Sequence, residues 1–254
     1  MVVLLSWNVH CVPVPGGCSA SHVEKVASYA AKLASQHDAS VIVLNEIFVE
    51  RMRTAILKRL RHSGRTWNMT PIANASNVAP LVGSGVVVAW RDDIQKHGKM
   101  HEMTYKSCCQ FDCLSHKGGL HVPLRAGKRV FHIIATHMQA LELPLVCNGV
   151  RDRQSANLGR MVDRLEKRGV IGSLEPVLFA GDFNEAFSHG MESRLRATHV
   201  RCESGCKTHD MGEFDHFYAR RRQHADFAAT PFRSVSVSGA KNPSDHSPIL
   251  VKLM

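Results

Sequence analysis

Carboxylate, amide and imidazole side chains stand at the ends of apolar runs at five separate places along the chain. They are Asn8, Glu46, His137, Asp182 with Asn184, and Asp245 with His246, the last pair standing just before a final apolar run. Carboxylate and amide oxygens are the ligands that a hard divalent cation prefers. Histidine beside a carboxylate transfers protons near neutral pH. A single Asp or Asn after a strand is usually a turn former, but five such placements indicate one shared site.

Cation ligands combined with acid–base groups suit the hydrolysis of an anionic ester such as a phosphodiester. The negative charge of this ester repels a nucleophile, and a bound cation neutralises that charge and lowers the pKa of a bound water. The predicted ligands are Glu46, Asp245 and the amide oxygen of Asn8. Mg²⁺ is the expected ion, with Mn²⁺ as the alternative, because both accept oxygen ligands.

Hydrophobic periodicity predicts the elements that must position these side chains. Helices are predicted over 21–37, 49–62 and 151–168, the first with a Ser21–Glu24 capping box and the last closed by Gly169. Strands are predicted over 2–9, 40–46, 85–90, 119–124, 129–138, 176–181, 214–218, 232–237 and 247–253, with a loop over 63–82. Strands outnumber helices and alternate with them irregularly. This order favours two packed sheets with helices outside, in one α/β (α+β) domain over 1–254.

Charge and cysteine content constrain the partner and the compartment. The formal net charge is +10, and basic runs at 58–61 and 220–222 favour an anionic partner. The eight cysteines follow no recognisable export signal, so we expect free thiols in the cytoplasm, with the nucleus as an alternative. Cys109 with Cys113 and Cys202 with Cys206 have zinc-like spacings but lack a second ligand pair, which disfavours a zinc site. No apolar run is long enough to span a membrane.

Six short motifs occur in an order that resembles a known family. They are Trp7-Asn8, Asn45-Glu46, Thr136-His137-Met138-Gln139, Gly181-Asp182-Phe183-Asn184, Phe214-Asp215-His216-Phe217 and Ser244-Asp245-His246-Ser247-Pro248. Each is weak alone, but together they cover nearly the whole chain and resemble the endonuclease/exonuclease/phosphatase superfamily. The resemblance implies the DNase I-like four-layer sandwich, in which two mainly antiparallel β-sheets pack face to face with helices outside.

The resemblance also implies roles for individual residues. Asn8 and Glu46 would bind the metal, with help from Asp245. Asp182 and Asn184 would contact the attacking water and the phosphate.

Three further residues complete the implied catalytic set. His137 would stabilise the transition state, and Asp215 would orient His246 as a general acid or base. Either Asp182 or His246 could activate the water.

The stretch 111–118 resembles the sphingomyelinase branch of this superfamily, which carries an Asp followed five residues later by Lys-Gly. Asp112 and Lys117 have this spacing, which implies that Lys117 lies near the phosphate and that Asp112 sets its position. The leading hypothesis is a Mg²⁺-dependent sphingomyelinase or phospholipase C-like phosphodiesterase.

Two other hypotheses stay open. A nuclease shares the core motifs and suits the basic charge, whereas an inert homologue would bind a phosphorylated partner or a membrane surface. In each case we expect a monomer that contacts anionic membrane or nucleic acid through its basic surface.

Overall fold

The computed structural model describes residues 1–12, 17–74, 83–140, 147, 149–185, 189–203, 207–210, 212–220 and 230–253. Arg221, Arg222, Cys206 and the part of the predicted loop over 75–82 lie outside these residues. The helices are α1 Ala20–Gln36, α2 Glu50–Arg61, α3 Val150–Lys167 and α4 His189–Leu195, with a short 3-10 helix at Gln110–Leu114. The strands are β1 Val2–Asn8, β2 Val41–Asn45, β3 Trp67–Met69, β4 Val87–Arg91, β5 Ile94–Lys96, β6 His101–Thr104, β7 Gly118–Ala126, β8 Arg129–His137, β9 Val177–Asp182, β10 Ala197–His199, β11 Asp215–Arg220, β12 Arg233–Ser234 and β13 Ile249–Leu253.

These strands form two mixed sheets. One has the order β12-β13-β1-β2-β4-β3, and the other has the order β10-β11-β9-β8-β7-β5, with β6 also paired to β7. Within the described residues each sheet contains a single parallel pair, β1 with β2 in the first and β8 with β9 in the second. The other pairings are antiparallel, which confirms the predicted pair of mainly antiparallel sheets.

The apolar faces of the sheets and helices pack into four layers. The two sheets share a buried core that includes Val43 and Val88 from the first sheet and Ile133 from the second. The outer face of the first sheet packs on α1 and α2, and that of the second sheet packs on α3. Both faces of the central strands are therefore buried, which explains their continuous apolar runs rather than alternation.

Local signals predicted the long elements and missed the short ones. The apolar stripe of α1 is buried as expected, but its N-cap is Ser19, which accepts a hydrogen bond from the amide of His22, so the predicted Ser21–Glu24 capping box is wrong. Gly169 follows the end of α3 with φ +68°, as predicted for a C-terminal cap. The missed strands β3, β5, β6 and β10 are three or four residues long, too short to show a period.

Disulfide bonds replace the free thiols that we expected, and three of them have both cysteines among the described residues. They join Cys11 to Cys18, Cys108 to Cys113, and Cys109 to Cys147. Such bonds persist in oxidising surroundings, so the thiol argument for a cytoplasmic protein is lost and that placement stays a prediction. In the described part of the chain, no helix is long and apolar enough to cross a membrane.

Candidate active site

The parallel pair of each sheet delivers polar residues to a common edge. In the first sheet Asn8 lies opposite Asn45, so Glu46 comes directly after the paired residues. In the second sheet His137 lies opposite Asp182, and Asp182 in turn lies opposite Asp215 of β11. Because carboxyl ends of parallel strands meet at one edge, residues distant in sequence become neighbours.

Hydrogen bonds between buried side chains join the two sheets at this edge. Nδ2 of Asn8 donates to Oδ2 of Asp182 over 2.9 Å and to Oε1 of Glu46 over 3.0 Å. Nδ2 of Asn45 donates to the carbonyl oxygen of Thr136 over 2.8 Å. Asn8 and Asn45 are fully buried, so each amide fixes the separation of the sheets where the site is built.

Glu46 offers a buried oxygen that suits a cation. Its Oε2 is buried and has no hydrogen-bond partner in the described part of the chain. An unpartnered buried carboxylate oxygen is costly unless a cation or donor satisfies it. A carboxylate oxygen of this kind, with waters completing the coordination, is a ligand set that a small divalent ion accepts. The residues present therefore fit such an ion.

Asn8 differs in one respect from its predicted role. Its amide nitrogen, rather than its oxygen, faces Glu46, and the oxygen accepts a hydrogen bond from the backbone amide of His10 over 3.0 Å. In this orientation Asn8 holds two carboxylates together by donating to both. Direct ligation through its oxygen stays a prediction.

The backbone is in the left-handed region at three positions around the site. The φ angles are 52° at His10, 62° at Glu46 and 52° at Asn184. Non-glycine residues adopt this region at a cost, and such residues cluster at functional sites. At Glu46 the turn ends β2 and directs the carboxylate toward the second sheet, where its Oε1 lies 3.9 Å from Nε2 of His137.

His246 and Asp215 form a buried pair. Nδ1 of His246 lies 2.7 Å from Oδ2 of Asp215, and its Nε2 lies 3.8 Å from Oδ2 of Asp182. Burial alone would lower the pKa of His246, but the charge and hydrogen bond of Asp215 prevail and raise it to about 10. His246 lies in the loop between β12 and β13. Trp7 holds this loop in place, because its Nε1 donates to the carbonyl oxygen of His246 over 3.0 Å.

Asp182 lies at the centre of the polar cluster. Burial, followed by the nearby charge of Asp215, raises the pKa of Asp182 to about 7, against the opposing effects of His246 and Asn8. Its Oδ1 accepts a hydrogen bond from the amide of Asn184 over 2.8 Å. A carboxyl group with a pKa in this range can exchange a proton near neutral pH.

His137 and Lys117 meet beside Asp182. Burial is the main reason that the pKa of His137 is well below its usual value, and the charge of Lys117 adds to the effect. Nζ of Lys117 lies 3.1 Å from Nε2 of His137, 2.9 Å from Oδ2 of Asp112 and 2.8 Å from the carbonyl oxygen of Met138. The three donors of the ammonium group thus have three protein partners. Lys117 and Asp112 are in contact, and Lys117 lies next to His137, whereas their position near the phosphate stays a prediction.

Asp245 lies on the outer side of His246. Its Oδ2 lies 2.6 Å from Nδ1 of His10 and 3.6 Å from Nε2 of His209. Burial would raise the pKa of Asp245, but the hydrogen bond and charge of His10 lower it to about 2. Asp245, His209 and His246 could also hold a metal ion together, as could Asp182, Asp215 and His246.

Three site residues escaped the sequence analysis. His10 and His209 flank Asp245, and Phe48 lies with its ring centroid 6.3 Å from that of His137. His10 and Phe48 each stand two residues after a predicted ligand, which is the only signal that could have pointed to them. His209 carries no such signal.

Two packed mixed sheets thus carry a cluster of carboxylate, histidine and amide side chains at their common edge. The model of the endonuclease/exonuclease/phosphatase family matches residues 5–246. The chain therefore belongs to this family, and the fold inferred from the six motifs is confirmed.

Several relatives in sequence are named sphingomyelinase C. Sphingomyelinase C of Bacillus cereus is 24% identical over 156 residues, which is 57% of this chain and 45% of that protein. The beta toxin of Staphylococcus aureus superposes with a TM-score of 0.77 at 19% identity, covering 99% of each chain. A second beta toxin structure, with bound magnesium ions, gives a TM-score of 0.75 at 19% identity over 98% of each chain. The structural likenesses show the shared fold.

Proposed function

We propose that this protein is a phosphodiesterase of the sphingomyelinase C type that depends on a divalent cation, with Mg²⁺ as the natural ion. The observation that carries the proposal is a polar cluster in which Nε2 of His137 lies 3.9 Å from carboxylate oxygens of both Glu46 and Asp182, and Lys117 supplies a positive charge beside it. Each group has a distinct task in the hydrolysis of an anionic diester.

Glu46 would hold the cation, with waters completing its coordination. Oε2 of Glu46 is buried without a hydrogen-bond partner in the described residues, and Asp182 lies on the other side of the Asn8 amide. When bound, the ion neutralises charge on the phosphate and acidifies a bound water. Asn8 keeps the two carboxylates at a fixed spacing by donating to both.

Asp182 and His246 would move the protons. Their polar atoms lie 3.8 Å apart, so both reach the same region beside the phosphate. Asp215 keeps His246 oriented and favours its protonated form. One of the two takes a proton from the attacking water while the other supplies a proton to the leaving oxygen. Water attack breaks the bond between phosphorus and the leaving oxygen, and the products are an alcohol and a phosphomonoester.

His137 and Lys117 would stabilise the charge that develops on the phosphate. Because its pKa is lowered, His137 is neutral and adds no second buried positive charge beside Lys117. Lys117 lies within 3.1 Å of this ring and is only about 6% exposed, so its charge acts in a water-poor environment, where it is worth more than in bulk solvent.

The pairing of Lys117 with Asp112 supports the sphingomyelinase branch. The pair that the resemblance implied is in contact at 2.9 Å, and the amide of Ala140 donates to the same Asp112 oxygen over 2.7 Å. The relatives named sphingomyelinase C support the same branch. We propose a choline phospholipid such as sphingomyelin as the substrate.

The first experiment tests the hydrolase. The purified protein is assayed with bis-p-nitrophenyl phosphate in Mg²⁺, in Mn²⁺ and in EDTA, together with Glu46→Gln and His246→Ala. We expect turnover with either ion, none in EDTA, and a loss of about 10²-fold or more in each variant. Turnover in EDTA, or unchanged rates in both variants, would contradict the proposal.

The second experiment separates the substrates. Sphingomyelin vesicles and supercoiled plasmid are offered in parallel under the same metal conditions. Release of choline phosphate without nicking supports the lipid substrate. Nicking without lipid cleavage would instead make the protein a nuclease, which the net charge of +10 would serve through phosphate contacts.

A further inference from the structure

Phe111 and Leu114 are exposed at the tip of a short turn next to the active site. Their side chains are 79% and 45% exposed, and the described part of the chain contains only two other large apolar side chains of comparable exposure, Met1 and Leu174. Both lie in the 3-10 helix Gln110–Leu114, in which no residue is buried. Exposing two large apolar side chains on one turn calls for an explanation.

Covalent and polar bonds hold this turn in place. The Cys108–Cys113 disulfide closes it, and the Cys109–Cys147 disulfide ties it to a distant part of the chain. Gln139 exchanges two hydrogen bonds with the backbone of Cys109, at 2.9 Å and 3.1 Å. The apolar tip is therefore presented rigidly, which reduces the entropy lost when it binds a surface.

The same turn is joined directly to the catalytic groups. Asp112, between the two apolar residues, accepts from the amide of Ala140 and pairs with Lys117, which contacts His137. A surface into which Phe111 and Leu114 insert would thus lie next to Lys117 and His137, where we propose that the substrate phosphate binds.

Cations border the apolar tip. Lys106 precedes the turn and is exposed, and the exposed Arg153 of α3 donates to Oγ of Ser107 over 3.2 Å. Apolar side chains combined with flanking Lys and Arg are the composition that binds a lipid interface, since the former enter the acyl boundary while the latter meet headgroup phosphates.

We propose that the turn 108–114, with Phe111 and Leu114 inserted, is the element that docks this protein on a phospholipid bilayer and brings a headgroup phosphodiester to Lys117 and His137. The catalytic benefit rests on the proposed lipid substrate, whereas the docking itself does not. A protein partner fits less well, because a stable protein interface needs about 800 Å² on each side, far more than two side chains provide.

Leu174 offers a matched control. It is 64% exposed and precedes β9, whereas Asp182 ends the same strand, so Leu174 and the active site lie at opposite ends of β9. Its replacement changes exposed apolar area to a similar extent without touching the turn.

The first test places a fluorophore at the tip. Phe111→Trp and Leu174→Trp are mixed, in EDTA, with phosphatidylcholine vesicles whose acyl chains carry bromine. Trp7, Trp67 and Trp90 are buried and give the same background in both variants. We expect a blue shift and quenching for Phe111→Trp and neither for Leu174→Trp. Absence of quenching in Phe111→Trp, or equal quenching in the two, would overturn the proposal.

The second test measures binding and turnover together. The double variant Phe111→Ala/Leu114→Ala should sediment with vesicles about 10- to 100-fold less well than the wild type, and Leu174→Ala should match the wild type. Hydrolysis of bis-p-nitrophenyl phosphate should be unchanged in both. Equal vesicle binding by the double variant, or a dimer in solution that the double variant alone loses, would contradict docking on lipid. Insertion without lipid hydrolysis would leave the docking intact and refute the proposed substrate instead.

Discussion

Nζ of Lys117 lies 3.1 Å from Nε2 of His137, so a lysine that the sequence placed before a strand belongs to the centre of the site. Its other partners are the carboxylate of Asp112 and the carbonyl oxygen of Met138. The contact makes Lys117 part of the polar cluster that we propose as the catalytic centre.

Lys117→Ala should therefore lower kcat for every phosphodiester that the protein hydrolyses. We expect a loss of about 10²- to 10³-fold, typical of removing one preorganised electrostatic group. Steady-state rates with bis-p-nitrophenyl phosphate and with lipid vesicles measure it. Lys128→Ala, in the exposed turn of the β7–β8 hairpin, is the control for loss of one positive charge. Wild-type kcat in Lys117→Ala on both substrates would remove Lys117 from the mechanism.

Asp215→Asn should change both the pKa of His246 and the rate. The charge and hydrogen bond of Asp215 raise the pKa of His246 to about 10, so their removal should move it downward. The imidazolium form would then be lost at lower pH than in the wild type. We expect kcat to fall by about 10²- to 10⁴-fold, as for the loss of an oriented acid–base residue.

An NMR titration of the imidazole resonances measures this pKa, with His246→Gln identifying the signal, and a pH–rate profile measures the activity. Asp93→Asn is the control, because Asp93 pairs with Arg91 over 2.6 Å outside the site. An unchanged pKa in Asp215→Asn would contradict the assigned pairing.

Gly85→Ala should disturb the site through packing. Gly85 has φ +71°, and a Cβ there would lie 2.8 Å from Cε1 of Phe48 and 3.1 Å from Cα of Glu46. Gly98 has a similar φ of +86° but no heavy atom within 4 Å of a Cβ. Gly98→Ala thus carries the backbone strain without the clash.

Both glycine variants should lose about 1 kcal/mol of unfolding free energy from the left-handed backbone alone. Mg²⁺ that binds the folded protein should raise the Tm of the wild type and of Gly98→Ala. Gly85→Ala should lose this rise, because Glu46 must shift. Thermal unfolding with and without Mg²⁺ tests both statements. Equal Mg²⁺ responses in the two variants would show that the clash is relieved without moving Glu46.

His121 should make the fold sensitive to acid. Its ring is fully buried, with Nε2 2.9 Å from Nδ1 of His132, and burial lowers the pKa of His121 to about 3. The unfolded chain protonates near pH 6.5, so between about pH 6.5 and 3 it binds more protons than the folded protein. Unfolding free energy should therefore fall with decreasing pH, by up to about 1.4 kcal/mol per pH unit from this residue.

Urea unfolding at pH 7.5, 5.5 and 4.5 measures that dependence. His121→Gln should have a shallower pH dependence than the wild type, even if its stability at pH 7.5 is lower. His62→Gln removes an exposed imidazole and should follow the wild-type curve. The same slope in His121→Gln as in the wild type would assign the acid sensitivity to other groups.

The sequence determined the long elements and the chemical types at their ends. Apolar runs in β1, β2, β8 and β9 are strong local signals, and the polar residue that ends each run is visible without any structure. The resemblance of the stretch 111–118 to the sphingomyelinase branch likewise implied that Asp112 positions Lys117, and the two side chains are 2.9 Å apart.

Tertiary structure decided which of these residues meet. Parallel pairing set Asp182 beside His137, antiparallel pairing set Asp215 beside Asp182, and packing of one sheet on the other set Asn8 against Asp182. These contacts join residues separated by up to 174 positions, and no local period encodes such distances. The left-handed turn at Glu46 and the cysteine pairings have the same origin, because chain positions become neighbours only when the sheets pack and bury their shared apolar face.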